Sequence, residues 1–329
     1  MNLSRRTIAV ALAAALPLSS LSAPPAQAQT LSSSPEFEAL LKRYAPGVDP
    51  ALVQALGVLA ALAASVAIAI PMVRSGEAAS IAREHTHSLQ VGGRSRSYDV
   101  VLPHGFSPER SYPVVLGFGG WQHTSRQTRD YENLESQFPD AIVVYGQGVN
   151  NAWGGAPYAA TSVSDDVAYT RAVLDDVASR YHADTTRTVA VGLSNGGGMA
   201  AALACHAPEM VDAVATVAGA FYSPTVTGCA GGQVPTLIMH GTNDAVVGYN
   251  GGVRHGAPYE SVDAVARTFA RKNGCSLVAA ESRSGSVTAF DFERCSAPTR
   301  IERVEGGGHT WFTDPDATRA TAQFLRRFL

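Results

Sequence analysis

A serine hydroxyl attacks carbonyl carbon at neutral pH only when a base takes its proton and a carboxylate holds that base in place. In this chain the serine with the right surroundings is Ser194, at the centre of Gly192-Leu193-Ser194-Asn195-Gly196. The apolar run Thr188 to Leu193 leads into it, and the small-residue stretch Gly196 to Ala204 leads out. A run of the first kind predicts a buried strand, and the second predicts a helix able to pack close to it. A G-x-S-x-G turn between strand and helix lifts the serine oxygen above a sheet, which is the geometry acyl transfer needs.

The base and the carboxylate must come from other segments. The run Pro235 to Met239 ends in His240-Gly241-Thr242-Asn243-Asp244, a loop at the carboxyl end of a strand, where open-sheet enzymes assemble their sites. Asp244 is the candidate carboxylate. The run Arg300 to Val304 continues into Glu305, three glycines and His309, so His309 is the candidate base on a glycine loop at the same edge. His240 competes for that role, but its place beside the strand suits a buried hydrogen-bonding residue better. His85 and His87 share a strand face without cysteine or carboxylate partners at ligand spacing, so neither a metal nor a cofactor is expected. The developing oxyanion needs two amides. Asn195 supplies one, and Gly120 or Trp121, in the loop after Pro113 to Phe118, supplies the other. The three tryptophans, Trp121, Trp153 and Trp311, all fall in segments bordering this site, and they are the candidate substrate-binding walls.

These positions need a scaffold that brings strand ends together. From His85 onward, short apolar runs alternate with helical stretches. His87 to Val91, the Gly92-Gly93 turn and Ser95 to Leu102 read as an opening hairpin. Pro113 to Phe118, Ala141 to Tyr145, Thr188 to Leu193, Val211 to Val217, Pro235 to Met239 and Arg300 to Val304 read as buried strands. Ser164 to Tyr181, Gly196 to Ala204, Ser261 to Asn273 and Ala317 to Leu329 carry helical spacing. That alternation predicts an α/β fold with a mostly parallel central sheet and helices on both faces. The order serine, aspartate, histidine is that of an α/β-hydrolase fold. Only Ala218 to Val234 separates two of the strands, which leaves no room for a large lid domain.

Composition narrows the class further. The chain has 329 residues with 16% charged and a formal net charge of −3, which argues against a nucleic-acid partner held by a basic face. Residues 1–28 read as a signal peptide, with Arg5 and Arg6 before an apolar run that ends in Ala26-Gln27-Ala28, so the protein is expected to be secreted or held in the cell envelope through Sec or Tat export. Residues 29–84 form an N-terminal extension whose apolar stretch 51–72 is expected to be a helix that is buried, lid-like or associated with a membrane or envelope. Residues 85–329 are the expected catalytic domain. An even count of cysteines in an exported chain, Cys205, Cys229, Cys275 and Cys295, points to disulfides. Of three connectivities, the sequence-local one joins Cys205 to Cys229 and Cys275 to Cys295 across loops of moderate length.

Between His85 and His309 these blocks resemble the extracellular esterase family that holds feruloyl esterases, acetylxylan esterases, poly(3-hydroxybutyrate) depolymerases and LpqC-like esterases. The matching residues are Gly192 to Gly197 with Leu203 to Cys205, His240 to Asp244 with Tyr249 to Gly252, Asp165 to Val167, Asn273 to Cys275, Cys295, and Gly307 to Trp311. The resemblance implies a secreted serine esterase with the triad Ser194, Asp244 and His309, acting without a cofactor on aryl or acyl esters of polysaccharide or on polyester oligomers. Two other readings stay open: an acyl-ester hydrolase of the cell envelope, and a non-catalytic envelope-associated protein that keeps the fold. One departure stands out, because the family usually has His-Gly after its oxyanion strand and this chain has Phe118-Gly119.

Overall fold

The apolar runs line up as the middle of a 10-stranded sheet with spatial order β1-β2-β4-β3-β5-β6-β7-β12-β11-β10. In chain order these strands are β1 (Glu84–Val91), β2 (Arg94–Val101), β3 (Tyr112–Phe118), β4 (Ile142–Gly146), β5 (Ala183–Leu193), β6 (Ala213–Val217), β7 (Thr236–Gly241), β10 (Ala279–Ser284), β11 (Val287–Phe292) and β12 (Thr299–Val304). A separate two-stranded ribbon, β8 (Gly252–Arg254) with β9 (Ala257–Tyr259), stands outside the sheet. From β4 to β12 neighbouring strands run parallel, and an antiparallel hairpin closes each edge, β1 with β2 and β10 with β11. This is an α/β-hydrolase fold. The structure is a computed structural model that describes residues 83–329, so the expected signal peptide 1–28 and the apolar stretch 51–72 lie outside the described residues. The chain divides into two units, residues 1–80 and 81–329, and the second holds the whole sheet and its helices.

The two-residue period of a strand distributes its side chains between two cores. On β3, Val114, Leu116 and Phe118 join one core, whereas Val115 faces the other. Among the described residues there are six α-helices: α1 (Ser125–Glu132), α2 (Val163–Tyr181), α3 (Asn195–His206), α4 (Ser223–Val226), α5 (Val262–Lys272) and α6 (Ala317–Leu325). Met199 and Leu203 of α3 with Phe269 of α5 fill the first core, and Ala322 and Leu325 of α6 fill the second. Fully burying side chains of this size stabilises the fold by roughly 1.5–3 kcal/mol each, which outweighs the weak helix propensity of the glycine-rich α3. Among the described residues no helix is long and apolar enough to cross a membrane.

Six elements, α1, α4, β8, β9, β10 and β11, were not evident from apolar spacing. Helix α1 is polar throughout, and its start is set by a capping box in which Thr124 and Gln127 bond each other's backbone. Strand β10 is exposed along nearly its whole length, as an edge strand of polar residues can be. Its partner β11 carries the pairing through residues such as Ala289 and Phe290. Disulfides join Cys205 to Cys229 and Cys275 to Cys295. The first ties the end of α3 to the segment after α4, and the second ties the segment after α5 to the turn before β12.

Candidate active site

Strand β5 ends at Leu193 and α3 begins at Asn195, so the whole reversal falls on Ser194. Its backbone is forced to φ 54° and ψ −117°, a region that costs a residue with a side chain about 1–3 kcal/mol. Neighbouring backbone holds it there: Ser194 N–H donates to Val217 O (2.9 Å), while Ser194 O accepts from Ala220 N (2.8 Å) and Gly198 N (3.0 Å). The two flanking glycines are steric necessities. A Cβ on Gly196 would run into the Phe118 carbonyl oxygen, and one on Gly192 would run into the Gly196 carbonyl.

From this turn a hydrogen-bonded chain leads across the strand ends. Ser194 Oγ lies 2.9 Å from His309 Nε2, and His309 Nδ1 lies 2.7 Å from Asp244 Oδ2. An ionised carboxylate only accepts, so His309 Nδ1 carries the proton and Nε2 is left to accept from the serine. Asp244 is fixed by its own loop, its Oδ1 accepting from the Val246 and Val247 amides at 2.8 Å each. Burial alone would raise its pKa, but hydrogen bonds from His240, His309 and the Val247 amide outweigh it and hold the carboxyl well below the usual carboxylate range. The glycine loop before His309 is clipped to the same segment: Gly306 N–H donates to Thr242 Oγ1 (2.8 Å), and Asn243 N–H to Gly307 O (2.9 Å).

His240 does not compete for the serine. Its Nε2 is 2.8 Å from Val247 O and 3.3 Å from Asp244 Oδ2, two acceptors that require the proton on that nitrogen. It thus braces the carboxylate from behind. The amides of Gly120, Trp121 and Asn195 donate to no acceptor among the described residues. Gly120 also comes close to the nucleophile, since a Cβ built on it would be 3.5 Å from Ser194 Cβ. These N–H groups are therefore free to receive an oxyanion.

The family model named Esterase matches residues 90–273 of this chain. The chain belongs to the Esterase family. It is 30% identical over 230 residues to feruloyl esterase C of Emericella nidulans, an alignment that covers 66% of this chain and 77% of that one. Against feruloyl esterase D of Neurospora crassa it is 28% identical over 290 residues, covering 80% and 93%. The acetyl xylan esterase of Aspergillus awamori superposes with a TM-score of 0.53 over 73% of this chain and 99% of its own, at 13% identity, a likeness of fold. The protein is a carboxylic ester hydrolase.

The esterase's cleft, a cavity of about 390 Å³, is lined by Ser194 and His309 together with Trp121, Tyr131, Tyr158, Tyr222 and Arg254 among others. Of the three tryptophans expected to wall it, only Trp121 does so, with 36% of its surface exposed and its ring stacked on Tyr158 at 4.3 Å between centroids. Trp153 and Trp311 depart from that expectation: both are buried, at 2% and 3% exposure. Trp153 packs edge-on against Phe118 and donates its indole N–H to Gly119 O (3.0 Å). Trp311 turns into the second core and donates to Thr318 Oγ1 (2.9 Å).

Several side-chain contacts that support the site were not foreseen from the sequence. The Asn195 side chain accepts from Trp153 N (2.7 Å) and donates to Trp153 O (3.1 Å), tying the elbow to the neighbouring loop. That loop is held in turn by buried Asp166, which accepts from Gly154 N, Thr161 Oγ1 and the Arg96 guanidinium. Tyr131 bonds Thr310 Oγ1 at 2.6 Å and so steadies the histidine loop. The Thr124/Gln127 capping box that starts α1 was the one available clue to Tyr131's placement.

Proposed function

We propose that this protein is a serine esterase that works through an acyl-enzyme, with Ser194 as nucleophile, His309 as general base and acid, and Asp244 as the group that orients the imidazole. The observation that carries this reading is the continuous chain Ser194 Oγ, His309, Asp244, at 2.9 and 2.7 Å, opening into the cleft. Ser194 Oγ bonds to the ester carbonyl carbon while its proton passes to His309 Nε2. The Asn195 amide, with that of Gly120 or Trp121, stabilises the resulting oxyanion. His309 then gives the proton to the departing alkoxide oxygen, and the acyl group stays on the serine. Water repeats the sequence in the second half: its proton goes to His309, the acid is released, and Ser194 recovers its proton.

The acyl group we infer is aromatic. Feruloyl esterases are among the relatives, and the stacked Trp121 and Tyr158 rings offer a flat apolar wall beside the nucleophile. The alcohol half is then a sugar hydroxyl of a polysaccharide, in keeping with the polar groups that line the cleft, among them Tyr131, Arg254 and Thr310. Two disulfides support an exported protein, in keeping with the signal-like residues 1–28. The test is hydrolysis of methyl ferulate and p-nitrophenyl acetate by the wild type and by Ser194→Ala. The variant should lose ~10⁴-fold or more in kcat while melting at the wild-type temperature. Retained turnover would overturn the assignment.

A further inference from the structure

Among the described residues, the cleft carries one fixed positive charge that the chemistry just described does not use. Arg254, at the end of β8, lines the same cavity as Ser194 and His309. Among the described residues no carboxylate lines that cavity. Arginines such as Arg96, Arg129, Arg300 and Arg303 bind carboxylates at 2.6–3.0 Å. The Arg254 side chain makes no ion pair or hydrogen bond among the described residues. Its charge nonetheless reaches the cleft wall. The phenols of Tyr158 and Tyr222 are raised first by burial, and the Arg254 guanidinium acts on both in the opposite direction.

The segment that bears Arg254 is held in place. His255, next in sequence, sets its ring edge-on to both Trp121 and Tyr158 at 5.1 Å. Tyr259 on the paired strand accepts from Gly248 N (2.9 Å) and bridges to Tyr222 through the backbone. The guanidinium is therefore carried by a ribbon fixed at both ends, half-buried beside an aromatic wall. A planar, permanently charged fork with open donors in a cleft without acidic groups fits a carboxylate better than any neutral group, because the charge-assisted pair is two-pronged and only partly screened by water.

We infer that Arg254 forms an anion subsite, and that the preferred substrates are esters bearing a second, free carboxylate on one of their halves. The inference rests on the serine-esterase reading and deepens it. The carboxylate has two sources: the acyl half, as in a monoester of a dicarboxylic aromatic acid, or the alcohol half, as in an ester to an acidic sugar.

Matched ester pairs separate these sources. For the acyl half the pair is the methyl ester of cinnamic acid carrying a para-carboxylate and its para-methyl counterpart. For the alcohol half it is the acetate of 4-(hydroxymethyl)benzoate and that of 4-methylbenzyl alcohol. The wild type, Arg254→Gln and Arg254→Lys are compared by kcat/KM at low and high salt. In one pair the ratio of charged to neutral ester should fall about 10–100-fold in Arg254→Gln, the range expected on losing a hydrogen-bonded charge. Arg254→Lys should keep part of the preference, and salt should weaken it in the wild type. The pair that responds identifies the half that carries the carboxylate. A ratio that stays within about twofold in both pairs would overturn the anion subsite while leaving the esterase reading intact. No hydrolysis of any of the four esters by the wild type would overturn both.

Discussion

Replacing Asp244 by asparagine removes one charge and changes almost no volume, so it isolates what the carboxylate does. In the native loop Oδ1 accepts from the Val246 and Val247 amides, and Oδ2 faces His309 Nδ1 at 2.7 Å and His240 Nε2 at 3.3 Å. The asparagine oxygen must keep the two amides, which leaves its NH₂ group in the place of Oδ2. One of its hydrogens now points at His309 Nδ1, and that nitrogen can receive it only by shifting its own proton to Nε2. Nε2 then presents a hydrogen to Ser194 Oγ and cannot act as its base. A wrong tautomer of this kind costs about 10⁴-fold in kcat, equivalent to about 5.4 kcal/mol of transition-state stabilisation. Steady-state hydrolysis of p-nitrophenyl acetate at neutral pH, alongside thermal melting, measures both consequences. Asp244→Asn should stay folded at the assay temperature, while giving up the stability at neutral pH that the lowered pKa of Asp244 reflects. Asp244→Ala should be less stable by about 1–3 kcal/mol, because it orphans two buried amides. A kcat for Asp244→Asn within about tenfold of wild type, with the fold intact, would refute the tautomer argument and with it the role of Asp244.

Two further outcomes concern stability. Glu132 is fully buried at the end of α1 and neither carboxyl oxygen has a partner among the described residues, so burial raises its pKa well above the ordinary value. Because the folded pKa lies above the unfolded one, Glu132 is tolerated below about pH 4.3 and costs stability progressively as pH rises, by at most ~1.4 kcal/mol per pH unit. In urea unfolding Glu132→Gln should therefore gain on the wild type between pH 4.5 and pH 7.5, as rough working limits, and a difference independent of pH would contradict this. The disulfides Cys205–Cys229 and Cys275–Cys295 span separations of 24 and 20 residues, and each should contribute ~2–4 kcal/mol by restricting the unfolded chain. Reduction verified by thiol titration should lower the melting temperature, and an unchanged melting curve would show that the bridges do not stabilise the fold.

What the sequence determined by itself is the part of the protein governed by short-range sterics. Apolar runs of strand length, small residues around Ser194 and glycines before His309 act within a few residues of themselves, so the parallel strands, the longer helices and the candidate residues Ser194, Asp244 and His309 could be picked out without coordinates. The sequence-local cysteine pairing was expected because it closes loops of moderate length, and the structure has it. The tertiary structure decided where side chains point once the chain leaves a strand. Trp121, Trp153 and Trp311 look alike in sequence, each in a loop near the site, yet only Trp121 meets the cleft. Trp153 is turned inward by Phe118, Gly119 and Asn195, and Trp311 by Thr318, partners that apart from Thr318 lie more than thirty residues away in the chain. Tyr158, Tyr222 and Arg254 enter the cleft from segments with no periodic signal, and the β8–β9 turn packs there against Trp121 and Tyr158. A loop's local sequence fixes how it turns, but the direction of its side chains is settled by whichever distant surface offers the most burial and the unmet hydrogen-bond partner.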